Sequence, residues 1–164
     1  PFEFTKKVFD TMEKAHWHQF QILTKRPEIM LAFTKKYYPK PLPNVWLGTS
    51  IENDRVLYRL RELKKVKAAI RFISFEPLLG PVGKVNLKGV HWVIVGGESG
   101  KHHRPIEKEW IYEIRRQCRK YGAAFFFKQW GGLTSKSGGR TLDGRIYDEY
   151  PNVKLIIPKI TNYV

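Results

Sequence analysis

Five short apolar runs in this chain each end in polar or charged side chains, and these side chains are the ones whose types could do chemistry. The runs are typical of buried β-strands. The residues that follow them are Lys25 and Arg26; Ser50, Glu52 and Asn53; Ser74 and Glu76; Glu98 and Ser99; and Lys128 and Gln129. Because ligands of parallel α/β proteins bind beyond the carboxyl ends of the strands, we expect this set to share one site.

The acids and bases of this set differ in the chemistry that they would support. The acidic members are the catalytic candidates, since a carboxylate can accept a proton, bind a cation or grip an amine. The basic members would hold an anionic group, and the remaining members are ligand-binding candidates. An alternative that needs no ligand is that the acids and bases pair with one another into a structural network. The acids are Glu52, Glu76 and Glu98, and the bases are Lys25, Arg26 and Lys128.

A glycine pair ends the fourth apolar run, in the stretch VHWVIVGGESG over 90–100. Gly96 and Gly97 would let backbone N–H groups approach a ligand, and the helix that follows would add its positive dipole end. The stretch lacks both the Gly-Lys-Ser/Thr ending of a Walker A loop and the G-x-G-x-x-G spacing of a dinucleotide site, so it identifies no phosphate ligand. Trp130, beyond the fifth run, is a candidate for stacking on a base.

The elements that must position these residues alternate between strand and helix. Amphipathic periodicity predicts helices over 3–16, 27–37, 54–67 and 106–121, and apolar runs predict strands over 20–23, 45–50, 69–75, 92–95 and 124–127. Such alternation implies an α/β fold with a mostly parallel sheet of about five βα units, covered by helices on both sides. The sheet is either a partial TIM-type barrel or open, because a closed barrel of this type has eight units.

The chain divides into an α/β, partial-barrel domain over 1–131 and a different segment over 132–164. A loop rich in glycine, serine and lysine opens this segment. Asp143-Gly144 predicts a two-residue hairpin turn, and 153–157 predicts a last strand. We expect this segment to pack on the α/β domain.

The charge of the chain favours a polyanionic partner. Its 164 residues include 30 Lys and Arg against 15 Asp and Glu, a formal net charge of +15. Such an excess binds nucleic acid by Coulomb attraction and counterion release, although a solvated lysine-rich surface is an equally good interpretation. The basic residues are spread along the chain, with no dominant tract.

No apolar run is long enough to span a membrane, and no signal-peptide pattern is present, so we expect a cytoplasmic protein. Cys118 is the one cysteine of the chain and lies in a helical pattern, which predicts a buried, inert thiol in a reducing compartment. One cysteine cannot hold an iron–sulfur cluster, and no His pair has zinc spacing, so no metal or cofactor is expected within these residues. The first residue is Pro1, which is typical of a processed chain or a fragment.

Several phrases together resemble a bacteriophage-type conserved protein family of unknown function. They include QILTKRPE (21–28), LPNVWLGTSIEN (42–53), RFISFEPLLGPV (71–82), WVIVGGESG (92–100), FFFKQWGG (125–132) and LDGRIYDEYP (142–151). The family is distantly similar to radical S-adenosylmethionine enzymes, in which three cysteines hold a [4Fe–4S] cluster on a (β/α) barrel. The resemblance implies that this chain is a C-terminal part without the cysteine-rich segment. It would place Lys25, Glu52, Glu76, Glu98 and Lys128 around S-adenosylmethionine or a substrate.

Three functional hypotheses follow. The first is the C-terminal part of a phage-associated, radical-SAM-like enzyme that acts on nucleic acid or its components, with cluster and S-adenosylmethionine bound only in a longer form. The second is a non-catalytic, basic nucleic-acid-binding protein. The third is a remnant domain kept for assembly, in which a partner or an additional N-terminal segment covers an exposed sheet edge.

Overall fold

The computed structural model describes residues 2–152, which contain four α-helices and five strands. The helices are α1 (Phe2–Lys14), α2 (Pro27–Tyr37), α3 (Tyr58–Lys65) and α4 (Lys108–Tyr121). The strands are β1 (Phe20–Thr24), β2 (Val45–Ser50), β3 (Ile70–Phe75), β4 (Trp92–Gly96) and β5 (Ala124–Gln129). None of these helices is long and apolar enough to cross a membrane. The predicted last strand over 153–157 lies outside the described residues.

The five strands form one sheet in which every neighbouring pair is parallel and the spatial order is the chain order, β1-β2-β3-β4-β5. The predicted α/β fold with a parallel sheet of five units is confirmed. The sheet is not closed into a barrel, since β1 and β5 remain at its two edges. Because each connection steps in the same direction and parallel connections are right-handed, the intervening helices fall on one side of the sheet.

The two faces of the sheet are buried in different ways. On one face, all four helices share a large apolar core with strand residues such as Ile73, Val95 and Phe127. The other face has a separate cluster made only of strand residues, Trp46, Ile70, Phe72 and Trp92. The expectation that helices cover both faces is therefore wrong for residues 2–152. The strands have continuous apolar sequences because the second face also carries buried aromatic rings.

We call this second surface the aromatic face and define it by Trp46, Phe72, Trp92, Phe126 and Tyr150. The rings of Trp46 and Trp92 meet edge to face at 5.7 Å, and Tyr150 lies 4.8 Å from Trp92 and 5.6 Å from Phe126, between ring centroids. The indole N–H of Trp92 donates to the backbone carbonyl of Glu149 at 2.8 Å. The segment after β5 is thus fixed onto the aromatic face by ring packing and by a hydrogen bond.

Local sequence signals account for how the helices begin and end. Pro27 occupies the first turn of α2, and Gly122 ends α4 in a left-handed conformation with φ 69°, as predicted. The predicted helix over 54–67 is shorter. Asn53 accepts a hydrogen bond from the backbone N–H of Arg55 and caps a 3₁₀ turn, Asp54–Val56, before α3 begins. Val66 is already extended, so α3 ends at Lys65.

The two edges of the sheet differ. Residues after the hairpin turn at Asp143-Gly144 run beside β5, where Phe127 N–H donates to the Tyr147 carbonyl at 2.8 Å and Glu149 N–H donates to the Phe125 carbonyl at 3.3 Å. Within residues 2–152, no strand pairs with the outer edge of β1.

The close packing at Gly48 in β2 allows a specific prediction about stability. A Cβ at Gly48 would lie 2.6 Å from the buried ring of Phe72. We expect Gly48→Ala to lower the free energy of unfolding by about 1–3 kcal/mol, because the ring must leave its position. Urea unfolding followed by tryptophan fluorescence measures this.

The matched control is Gly80→Ala. The nearest atom to a Cβ at Gly80 is 3.5 Å away, and the backbone there is ordinary, so we expect a change within about 1 kcal/mol. Equal stability of the two variants would contradict the packing of Phe72 over β2.

Candidate functional site

The first charged group of the site is centred on Glu52, just beyond β2. Its two carboxylate oxygens accept from Lys25 at 2.7 Å and from Arg59 at 2.9 Å. Arg59 also donates to the Ser50 carbonyl at 3.0 Å, which fixes the first turn of α3 to the end of β2. Burial by itself raises the pKa of Glu52, but the hydrogen bond from Lys25 and the charges of Lys25 and Arg59 outweigh it and hold the pKa below its usual range. Glu52 is therefore ionised at neutral pH.

The second charged group joins β3 to β5 across β4. Glu76, which follows β3, accepts from Lys128 of β5 at 2.8 Å. Gly96 at the end of β4 lies between them, and a Cβ there would come within 3.3 Å of the Glu76 carboxylate. A side chain at position 96 would crowd this carboxylate, so the glycine gives the pair its space. We call the two charged groups together the rim: Lys25, Glu52, Arg59, Glu76 and Lys128.

Two buried serines lie on neighbouring strands just below the rim. Ser50 and Ser74 are partners in the register of β2 and β3, and both are almost fully buried. Ser50 follows Gly48 by two residues in β2, and Ser74 follows Phe72 by two residues in β3. Each serine therefore lies on the same side of the sheet as the aromatic face. The serines therefore occupy the layer between the aromatic face and the charges.

Glu98 is bound within its own loop. Both of its oxygens are held by Arg104, whose Nε and Nη2 donate at 2.8 and 2.6 Å and whose backbone N–H donates at 2.9 Å. These hydrogen bonds from Arg104 lower the pKa of Glu98 to about 2. Glu98 thus differs from the other two predicted acids, Glu52 and Glu76. Those two pair with predicted lysines, Lys25 and Lys128, whereas Glu98 pairs with an arginine of its own loop.

The glycine motif after β4 is packed against the loop after β5. A Cβ at Gly97 would collide with the carbonyl of Trp130, and a Cβ at Gly131 would collide with the carbonyl of Glu98. Gln129 donates to the Ser99 hydroxyl at 2.9 Å, which adds a side-chain link. Two backbone segments approach closely here, and this contact accounts for the need for glycine.

Three other predicted site residues have local structural contacts. Asn53 caps the 3₁₀ turn, and Arg26 stands at the start of α2, where its backbone N–H donates to Thr24 Oγ1 at 3.0 Å. Trp130 donates from its indole nitrogen to the Thr141 carbonyl at 2.8 Å and packs edge-on against Phe127 on the helix side. Their roles toward a ligand remain predictions.

Arg59 belongs to the rim although sequence reasoning missed it. The signal for it is its position: the first turn of a helix that follows a parallel strand returns to the same edge of the sheet as the strand end. An arginine there, seven residues after Glu52, is within reach of that carboxylate.

The residues present do not fit an iron–sulfur cluster. The chain has one cysteine, Cys118, which is buried in α4, and burial raises the pKa of its thiol to about 12. A cluster needs several thiolates, whereas this thiol stays protonated. Nor does the part of the chain that the structure describes bring together three His, Cys, Asp or Glu side chains that could hold a metal ion.

The two rim acids differ in how exposed their cationic partners are, which allows the stabilities of two variants to be compared. Arg59 is only 12% exposed, so Glu52→Gln leaves a largely buried guanidinium without its carboxylate partner. We therefore expect the free energy of unfolding to fall by about 1–3 kcal/mol. Lys128 is 50% exposed, so Glu76→Gln costs less than about 1 kcal/mol. Urea unfolding at neutral pH compares the two variants.

Acidification should remove the contribution that Glu52 makes to the free energy of unfolding. Because the pKa of Glu52 is lowered by folding, its stabilisation is present above the ordinary value of 4.5 and is lost as the pH falls through the lowered value. The difference between wild type and Glu52→Gln should therefore shrink on acidification. A difference that is constant with pH would show that the charge of Glu52 is not the cause.

Comparison with known proteins places the chain in a family. The profile of the family described as "Protein of unknown function (DUF5131)" matches residues 1–151. No curated protein and no solved structure matches the chain. Since the match covers almost the whole sequence, this α/β protein with a charged rim beyond its parallel strands belongs to the DUF5131 family.

Proposed function

We propose that this chain supplies the ligand-facing residues of an enzyme whose substrate or cofactor binds at the rim. The observation that carries the proposal is the convergence of two acid–base groups, Lys25–Glu52–Arg59 and Glu76–Lys128, at the carboxyl edge of one parallel sheet. That edge is where parallel α/β proteins bind ligands. Buried serines and aromatic rings form the layers beneath it, so a ligand at the rim would rest on an ordered surface.

The two acids would have different roles. Glu52 is held by two cations and has a lowered pKa, which makes it a poor proton acceptor and suits it to positioning Lys25. Among the described residues, Glu76 has one charged partner, Lys128, whose half-exposed side chain can swing away. When a ligand arrives, Glu76 would accept hydrogen bonds from a ligand ammonium, and Lys128 would turn to an anionic group. The Glu76–Lys128 pair is therefore complementary to a zwitterion.

The resemblance to radical S-adenosylmethionine enzymes supports one zwitterionic ligand in particular, because the aminoacyl part of S-adenosylmethionine carries both an ammonium and a carboxylate. The cluster of such enzymes does not fit the residues of this chain, and no step through it is derived. We include in the proposal a phage-associated origin and a cytoplasmic location, which rest on the resemblance and on the single cysteine.

A binding experiment with S-adenosylmethionine as the probe tests the proposal on the full chain. We expect saturable binding in isothermal titration calorimetry and at least about tenfold weaker binding by Glu76→Gln, because a charge-assisted hydrogen bond to the ligand ammonium is lost. The matched control is Glu62→Gln, which removes an acid paired with Lys65 on α3 at 2.7 Å, away from the rim.

The outcomes separate the parts of the proposal. Unchanged affinity in Glu76→Gln would contradict the site, and no binding by the wild type would contradict S-adenosylmethionine as the ligand. Equal weakening by Glu62→Gln would mean that general charge, not the rim, governs the affinity.

The second candidate function is nucleic-acid binding, and a specific surface favours it. Lys35, Lys65 and Lys67 line one cleft of about 170 Å³ together with Tyr38. The cleft lies where α2 and α3 end, and helices that follow parallel strands end at the opposite edge of the sheet from the rim. Three ammonium groups with one acidic partner, Glu62, give this cleft an excess of positive charge within a chain of net charge +15.

Fluorescence anisotropy with a short labelled DNA duplex tests this candidate at several salt concentrations. We expect the double variant Lys35→Gln/Lys67→Gln to reduce the slope of log affinity against log salt concentration by about 2, because two phosphate contacts are lost. The control variant, Lys101→Gln/Lys136→Gln, removes two exposed lysines from other surfaces. Equal slopes in the two variants, or no binding at low salt, would contradict nucleic-acid binding at the cleft.

We also propose that a further parallel strand, joined ahead of α1, continues the sheet at β1. Helix α1 packs on the helix side of β1, with Phe9 of α1 and Ile22 of β1 lining the same crevice. This is the place that a crossover helix takes between two parallel strands. Leu23, 51% exposed at the open edge, would be covered by such a strand.

A further inference from the structure

One partly buried cation has contacts that do not explain a role in the fold. The guanidinium of Arg140, in the segment after β5, lies 5.2 Å from the centroid of the Phe126 ring. Its Nε and Nη2 atoms are shielded from solvent, yet neither has a hydrogen-bond acceptor among the residues that the structure describes. Burying such donors without acceptors is costly. Arg59 of the rim also has a shielded Nε without an acceptor, but its Nη1 donates to Glu52 and to the Ser50 carbonyl, whereas Arg140 leaves two donor atoms without acceptors among the described residues.

The backbone on either side of Arg140 fixes its position. The Gly139 carbonyl accepts from the backbone N–H of Trp130 at 3.0 Å, and the Thr141 carbonyl accepts from the Trp130 indole at 2.8 Å. Arg140 is therefore tied to the end of β5 while its side chain reaches back over Phe126. Phe126 precedes Lys128 by two residues, so both side chains project from the same face of β5. The guanidinium thus lies over Phe126, on the face of β5 from which Lys128 also projects.

The chemistry of the two nitrogen atoms specifies what they would bind. Nε and Nη2 form one edge of the planar guanidinium and donate in parallel to paired oxygens. Arg104 in the same molecule does this, since its Nε and Nη2 hold the two oxygens of Glu98 at 2.8 and 2.6 Å. In Arg140, the same edge has no carboxylate opposite it in residues 2–152, and the Phe126 ring supports the guanidinium from one side.

We infer that Arg140 binds the oxyanion of the ligand, a carboxylate or a phosphate group, through Nε and Nη2. This inference rests on the proposed function in that it takes the surface between the aromatic face and the rim as the ligand site. To the anionic group that the proposed function already gives the ligand, it adds a specificity-determining residue that would bind this group. A ligand with its ammonium at Glu76 would place an oxyanion toward Arg140 and Lys128.

Nuclear magnetic resonance of the arginine Nε–H groups tests the inference on the full chain. A shielded Nε–H exchanges slowly with water and gives a separate signal, which Arg140→Lys identifies by its loss. Inorganic phosphate and acetate are the two probes. We expect a saturable shift of this signal in the wild type. Isothermal titration calorimetry then compares the two proteins, and we expect Arg140→Lys to bind the tighter anion at least about tenfold more weakly, since lysine cannot form the paired hydrogen bonds.

The control is Arg116→Lys, which alters an exposed arginine paired with Glu113 on α4 at 2.5 Å and should leave anion binding unchanged. The tighter probe decides between a phosphate and a carboxylate as the natural group. No saturable shift of the wild-type signal with either anion would overturn the inference, and so would equal affinity in Arg140→Lys. The wild-type titration stands even if the variant fails to fold. Because it requires no S-adenosylmethionine, its failure is distinguishable from failure of the proposed function.

Discussion

The structure depends on one topological constraint: five parallel strands lie side by side in chain order. With right-handed connections, this order sends every crossover helix to the same side of the sheet. The helix side buries a conventional aliphatic and aromatic core. The opposite side has no helix over it within residues 2–152, and its buried rings pack on one another and on the strands, Trp46 against Trp92 and Phe72 over Gly48. The same order brings all five strand ends to one edge, which is why charges that are far apart in the sequence meet in space.

The rim combines one carboxylate that is held from two sides with one ion pair that is partly exposed. Glu52 is held from two sides and anchors α3 to the sheet, whereas the Glu76–Lys128 pair crosses Gly96 and remains half open to solvent. The charged strand ends can therefore form a structural network and still serve as a ligand site. In the proposed function, the fixed pairs of Glu52 would support the neighbouring Glu76–Lys128 pair, which would open to a ligand.

Much of this architecture could be predicted from the sequence, because the strand ends, Pro27 at the start of α2 and Gly122 after α4 are local signals. The partner of a charge is not a local property. Glu98 pairs with Arg104 six residues ahead of it, and Arg59 reaches back over seven residues, so the identity of each pair depends on side-chain reach in three dimensions. The absence of helices from the aromatic face within residues 2–152 also could not be predicted, because the sequence of an apolar strand does not indicate what packs against each of its faces. Arg140 lies in the segment after β5, outside every strand end, so no strand-end pattern indicates it.

The glycine contacts between the loops after β4 and β5 have a mechanical consequence. Gly97 and Gly131 bring two backbones into direct contact with Trp130 and Glu98, and a Cβ at Gly138 would in turn collide with the Gly131 carbonyl. Backbones packed this closely cannot slide past one another, so the two loops and the segment that carries Arg140 move as one body. A ligand that immobilises any part of this body immobilises the rest, and the conformational entropy of ordering three segments is lost once rather than three times.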